Sequence, residues 1–87
     1  FAFAVRIVRL YSWLRKERQE YTLARQVLRS GTSVGANVEE AIGGFSKDFT
    51  AKMGIAYKEI RETLYRLRLL KATDYIDMAQ FQSLHAD

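Results

Sequence analysis

Residues 29 to 45 read Arg-Ser-Gly-Thr-Ser-Val-Gly-Ala-Asn-Val-Glu-Glu-Ala-Ile-Gly-Gly-Phe. At about 100° per residue, Leu23, Val27, Gly31, Val34, Val38, Ala41 and Phe45 fall on one side of a helix. Gln26, Arg29, Ser33, Asn37, Glu40 and Gly44 fall on the other. The stretch is therefore an amphipathic helix, with small residues on its apolar face and short polar groups opposite. A solvated face usually carries Lys and Glu, whereas Ser33 and Asn37 are poorer helix formers. The stripe of Arg29, Ser33, Asn37 and Glu40 thus predicts hydrogen bonding across a contact that excludes water. Arg29 would pair there with Glu40 of a neighbouring helix or subunit. The competing reading is an ordinary exposed face, where most polar residues reside.

Outward from this helix the same period repeats. Proline is absent and only five glycines occur, so little interrupts helical patterning. Phe3, Ile7, Leu10 and Leu14 recur along a first helix, and Ala4, Val8 and Tyr11 widen their arc. That arc is broader than one packing neighbour requires. The charged run from Arg15 to Glu20 is the expected connection to a second helix over Thr22 to Ile42, stopped by Gly43-Gly44. Ser46 is placed to cap a third helix, Lys47 to Ala72, with Asp48 favouring its first turn. Phe49, Met53, Ala56, Ile60, Thr63, Leu67 and Leu70 are its predicted core stripe. Asp77 and Gln80 have capping-box spacing, and Ile76 and Phe81 can form the accompanying staple. A fourth helix begins there and is much shorter than the third, so either the chain is trimmed at its C-terminus or the bundle is lopsided. The expected fold is all-α, an antiparallel up-and-down four-helix bundle occupying residues 1–87 as one domain. No alternating run bounded by hairpin residues supports a strand.

Composition narrows the function classes. The 87 residues are 48% hydrophobic and 13% aromatic, a globular balance. A chain this small hides only about 60–65% of its unfolded surface, so spare apolar area predicts a symmetric homo-oligomer. Cysteine is absent, which suits a cytoplasmic location and removes disulfides and thiolate metal sites. No segment offers the roughly 18–20 apolar residues of a membrane span. The start lacks a basic leader and cleavage site, so a signal peptide is not expected. It also lacks an initiator Met, which suggests that the chain begins inside a longer product.

Enzyme chemistry finds little support. Ser30-Gly31-Thr32-Ser33-Val34-Gly35 lacks the preceding strand and the terminal Gly-Lys-Ser/Thr of a phosphate loop. Glu39, Glu40, Glu59 and Glu62 lack the Glu-x-x-His pairs of a di-metal bundle, because the single histidine is His85. Surface ion pairs, Glu62 with Lys58 or Arg66, are the better reading. One terminal His85 also argues against Ser-His nucleophilic catalysis. The expectation is a non-enzyme with no cofactor, no metal and no small-molecule substrate.

A net charge of +4 is compatible with nucleic acid as a partner without demanding it. Lys58, Arg61, Tyr65 and Arg68 fall within about an 80° arc of the third helix, roughly opposite its core stripe. Cations interleaved with an aromatic suit phosphate neutralisation and base stacking. Arg6, Arg9 and Lys16, beside Trp13, are candidates to extend the patch, and Glu59 and Glu62 are expected to interrupt it. A solvated helix face looks much the same and is the favoured reading from sequence alone.

The central stretch resembles a bacterial four-helix-bundle family encoded by intervening sequences of large-subunit ribosomal RNA genes. Arg29, Ser30, Ser33, Val34, Asn37, Val38, Glu40 and Ala41 carry the resemblance. Ile55-Ala56, Glu62, Leu67 and the run from Leu69-Leu70 to Tyr75-Ile76 extend it over roughly the whole chain. Many relatives have Pro and Ser where this chain has Gly35 and Ala36, so their kink is not expected here. The resemblance implies assembly as a homopentamer, with a dimer as the fallback. A related group, the accessory variability proteins of retroelements, is basic and works with a reverse transcriptase and nucleic acid. Two readings follow: an oligomeric module that binds RNA or DNA without sequence preference, or a structural homo-oligomer with no nucleic-acid role.

Overall fold

The computed structural model describes the backbone of residues 1–44 and 46–85, and the side chains of all of these except 46, 47 and 85. Four helices follow one another: α1 (Ala2–Glu17), α2 (Thr22–Gly43), α3 (Ser46–Ala72) and α4 (Met78–His85). They form the expected up-and-down bundle with its short fourth helix. The stripe position of Phe45, capping by Ser46 and the setting of the His85 side chain lie outside the described residues.

Each boundary has a local cause. α1 runs on through Arg15, Lys16 and Glu17, residues that the sequence reading gave to the connection. Its turn is closed by Gln19 in the left-handed region at φ 53°. The next residue, Glu20, caps α2: its carboxylate accepts from Leu23 N at 2.8 Å and from Ala24 N at 3.3 Å. That satisfies two of the orphan donors at a helix start. α2 ends at Gly43, with Gly44 extended rather than left-handed. A side chain at Gly44 would crowd the Glu40 carbonyl, 3.1 Å from where its Cβ would stand. α3 is followed by Asp74 at φ 65°. The box that opens α4 is reciprocal: Gln80 N donates to Asp77 Oδ1 at 2.8 Å, and Asp77 N donates to Gln80 Oε1 at 2.9 Å.

The core gathers Ile7, Leu10 and Leu14 of α1, Ala24 and Val27 of α2, Leu67 and Leu70 of α3, then Ile76 and Leu84. Phe3, Tyr11, Trp13, Leu23, Leu64, Tyr75 and Phe81 pack around it. Fully burying an aliphatic side chain contributes about 1.5–3 kcal/mol, so this cluster dominates the stability of the bundle. Gly31 brings α1 close: a Cβ there would stand 2.8 Å from Ile7 Cγ2 and 2.9 Å from Ile7 Cγ1.

Four helices overlap at only one end. α4 reaches the level of Arg6, which donates to Ser83 Oγ. The start of α1, at Phe1, Phe3 and Ala4, lies against Val34, Ala36 and Val38. Past that level α2 and α3 continue as a two-helix hairpin, tied by Lys52 Nζ to Glu40 Oε2 at 2.8 Å. The α3 core stripe divides accordingly. Ala56, Thr63, Leu67 and Leu70 are buried, while Phe49, Met53 and Ile60 remain 46%, 37% and 39% exposed. The periodicity located the stripe, and within the described residues its first half is only partly covered. On α1 the arc is largely absorbed, with Val8 left exposed.

Candidate nucleic-acid interface

The outer face of α3 carries the predicted cations. Lys58, Arg61, Tyr65 and Arg68 are all exposed, and so is Tyr57. Helical spacing sets these five within about 100° of arc, into which α3 places no carboxylate. By helical spacing Glu59 and Glu62 fall to one side of the arc, but Glu62 shares a groove with Lys58, Arg61 and Tyr65 and so does border the field as expected. Glu62 Oε2 lies 3.7 Å from Arg66 Nη1, one turn further along. The Arg61 guanidinium sits over the Tyr57 ring, 6.0 Å from its centroid, within cation–π range. Beyond Arg68 the band ends at Lys71, whose ammonium lies 5.7 Å from the Phe81 ring of α4.

Two depressions flank Tyr65. Toward α2, Tyr57, Lys58, Arg61, Glu62 and Tyr65 join Gln26 around a groove of about 520 Å³. Toward α4, Tyr65, Arg68, Lys71 and Phe81 line a second groove of about 460 Å³. Tyr57 was missed by the sequence reading. Its signal was an aromatic four residues before Arg61, the spacing at which helix side chains meet.

The cations of α1 do not extend this band. Arg6, Arg9 and Trp13 border a different groove, on the opposite flank of α4 from Arg68 and Phe81. Lys16 lines a cleft with Tyr11, Arg15 and Tyr21 at the α1–α2 turn. There Arg15 stacks 5.4 Å from the Tyr11 ring and 5.8 Å from that of Tyr21. Arg18 stacks on Tyr75 at 5.4 Å and donates to the Asp74 carbonyl at 3.0 Å. These arginines fasten turns together.

The polar stripe of α2 is partly self-satisfied. Asn37 Nδ2 donates to the Ser33 carbonyl at 2.9 Å and to Ser33 Oγ at 3.0 Å. Both side chains are half-buried, while Arg29 and Glu40 are exposed. Among the described residues no ion pair joins Arg29 to Glu40; Glu40 meets Lys52. This contact holds the Lys52 ammonium above its ordinary value, chiefly through the hydrogen bond from its Nζ to Glu40 and secondarily through the carboxylate's charge.

Among the described residues, no cluster of three or more His, Asp or Glu side chains is close enough to hold a metal ion. No described helix is long and apolar enough to cross a membrane.

A crystal structure of a protein with unknown function from the S23 ribosomal protein family of Bacteroides thetaiotaomicron is similar to this chain throughout. The two are 49% identical with a TM-score of 0.93, over 95% of this chain and 78% of the other. The comparison with curated proteins finds no match. The 23S rRNA-intervening sequence protein family matches residues 1–87, the entire chain. With the motif on α2 and the four-helix architecture in agreement, the chain belongs to that family.

Proposed function

We propose that this protein is a non-enzymatic, cytoplasmic oligomeric module that binds RNA or DNA through the outer face of α3, without strong sequence preference. The carboxylate-free band of Lys58, Arg61 and Arg68 around two exposed tyrosines carries the reading. The carboxylate that lines the adjoining groove, Glu62, lies 3.7 Å from Arg66. Three cations neutralise too few phosphates for tight binding by one chain. A symmetric ring, five-membered by family resemblance, multiplies the band and converts weak contacts into avidity when one ligand spans several subunits. The uncovered Phe49, Met53 and Ile60 supply apolar surface for such self-association.

That same apolar row also favours a second reading, a structural homo-oligomer without a nucleic-acid role. Fluorescence anisotropy with labelled RNA and DNA, repeated across salt concentrations on the native-mass species, separates the two. The module binds at low salt, loses affinity steeply as salt rises, and has a flatter slope after Arg61→Ala and Arg68→Ala. Absence of any binding at low salt removes the module reading and leaves the structural one.

A further inference from the structure

Resting on that reading, we infer that the α3 groove is built for unpaired, splayed-out nucleotides, with Tyr57 and Tyr65 as two separate stacking platforms. Both rings are large, apolar-faced and mostly open, 64% and 62% exposed. They stand eight residues apart and border one groove. At about 1.5 Å of rise per residue, roughly 12 Å of helix separates them. Stacked bases follow one another at about 3.4 Å along a strand, so neighbours in a regular stack cannot serve both rings. The strand that fits must be unstacked, with one base on each tyrosine.

The residues between and beside the rings complete the site. Arg61 lies over the Tyr57 ring at 6.0 Å, restricting the ring's orientation beside the groove that both tyrosines border. Lys58 and Arg61 border the same groove and suit the phosphates that link the stacked bases, while Glu62, also on its border, faces Arg66 at 3.7 Å. Arg68 lies past Tyr65, in the groove that ends at Phe81, and suits the outgoing backbone. A duplex presents phosphates to these cations but keeps its base faces inside the stack, out of reach of both rings. Stacking on a ring tolerates any base, which agrees with binding that lacks sequence preference.

Three labelled probes test this on the native oligomer: a single-stranded 20-mer, its duplex, and an abasic strand carrying the same phosphates. The single strand, which keeps both stacked bases, is expected to bind roughly 25-fold or more tighter than the abasic strand. Tyr57→Leu and Tyr65→Leu should each weaken the single strand by roughly 5- to 100-fold and move the other probes by less than about two-fold. Tyr57→Trp should retain single-strand affinity, and its added fluorescence should be quenched on binding. If the leucine variants leave single-strand binding unchanged, or weaken all three probes alike, the stacking site is wrong. In either case duplex binding sensitive to Arg68→Ala would still uphold the basic face. Failure of every probe at low salt removes the nucleic-acid reading, and this inference with it.

Discussion

Thr63 of α3 donates a hydrogen bond to Ser30 of α2 across 2.9 Å, with both residues buried. Ser30 in turn donates to the Gln26 carbonyl at 3.1 Å, and the Glu59 carbonyl, 2.7 Å from Thr63 Oγ1, is the alternative acceptor. The pair joins α2 to α3 at one register and adds the net worth of one buried hydrogen bond, since each hydroxyl also has an acceptor on its own helix. Thr63→Val or Ser30→Ala alone should cost about 1 kcal/mol in urea melts. The double variant should cost little more than either, a coupling of roughly 0.5–1 kcal/mol. Strictly additive losses would show that the two hydroxyls act independently.

Gly31 and Gly54 should respond oppositely to alanine. At Gly31 the added methyl meets the branch carbons of Ile7, which cannot swing aside as a long side-chain end could. The expected overpacking cost of about 1–3 kcal/mol exceeds the roughly 1 kcal/mol gained in helix propensity. Nothing lies within 4 Å of a Cβ at Gly54, so Gly54→Ala should raise the melting temperature. A Gly31→Ala protein more stable than wild type would refute the close approach of α1.

The two side-chain caps make comparable contributions. Asp77→Ala and Glu20→Ala each leave backbone donors without a partner and should cost about 0.5–2 kcal/mol. Their amide-exchange signatures should differ. Asp77→Ala should release protection in α4, and Glu20→Ala in the first turn of α2.

The Lys52–Glu40 contact gives a small pH dependence at the alkaline end. Because folding raises the Lys52 value above the ordinary 10.5, its contribution is complete below that pH. It fades as the pH climbs through the raised value. The melting difference between wild type and Lys52→Gln should therefore shrink above about pH 10.5 and stay constant in the neutral range. The effect is modest, since both partners are solvent-accessible.

Phe49→Ser with Met53→Ser tests the uncovered row. In an isolated bundle these partly exposed positions contribute little to folding, so the fold should persist by circular dichroism. If copies associate through the row, light scattering should show a shift toward lighter species at micromolar concentration. An unchanged mass would place the contact elsewhere. Asn37→Leu is informative alongside: its own helix accepts both of its hydrogen bonds, so a loss of about 1–3 kcal/mol would mark it as buried between subunits.

Much of this was legible in the chain because helices announce themselves locally. Period, the Gly43-Gly44 stop and the absence of proline gave α2 and α3 almost to the residue, and capping chemistry gave the Asp77–Gln80 box. Tertiary extent is not local. Nothing in Phe49, Met53 or Ile60 themselves reveals that they stay partly exposed while Thr63, Leu67 and Leu70 are buried. Ser30 looked like one motif letter among several, since only the α3 register shows that it faces Thr63. Glu20 sat in a charged run whose other members are helical or solvated. On α3 the cations and Tyr65 were visible from spacing, whereas the significance of Tyr57 emerged with the Arg61 stack and the shared groove.

The uneven burial along the described residues implies a graded response to perturbation. Where four helices meet, opening any segment exposes the Ile7–Leu67–Leu70 cluster, so those amides should exchange only through global unfolding. In the hairpin extension, described residues 37–44 and 48–56 bury only Ala41 and Ala56. That segment should open sub-globally, at a free energy well below that of the whole domain. Protease nicking of the free chain should accordingly begin there. Protection of the same stretch in the native oligomer would measure how far self-association turns a loosely held arm into part of a cooperative unit.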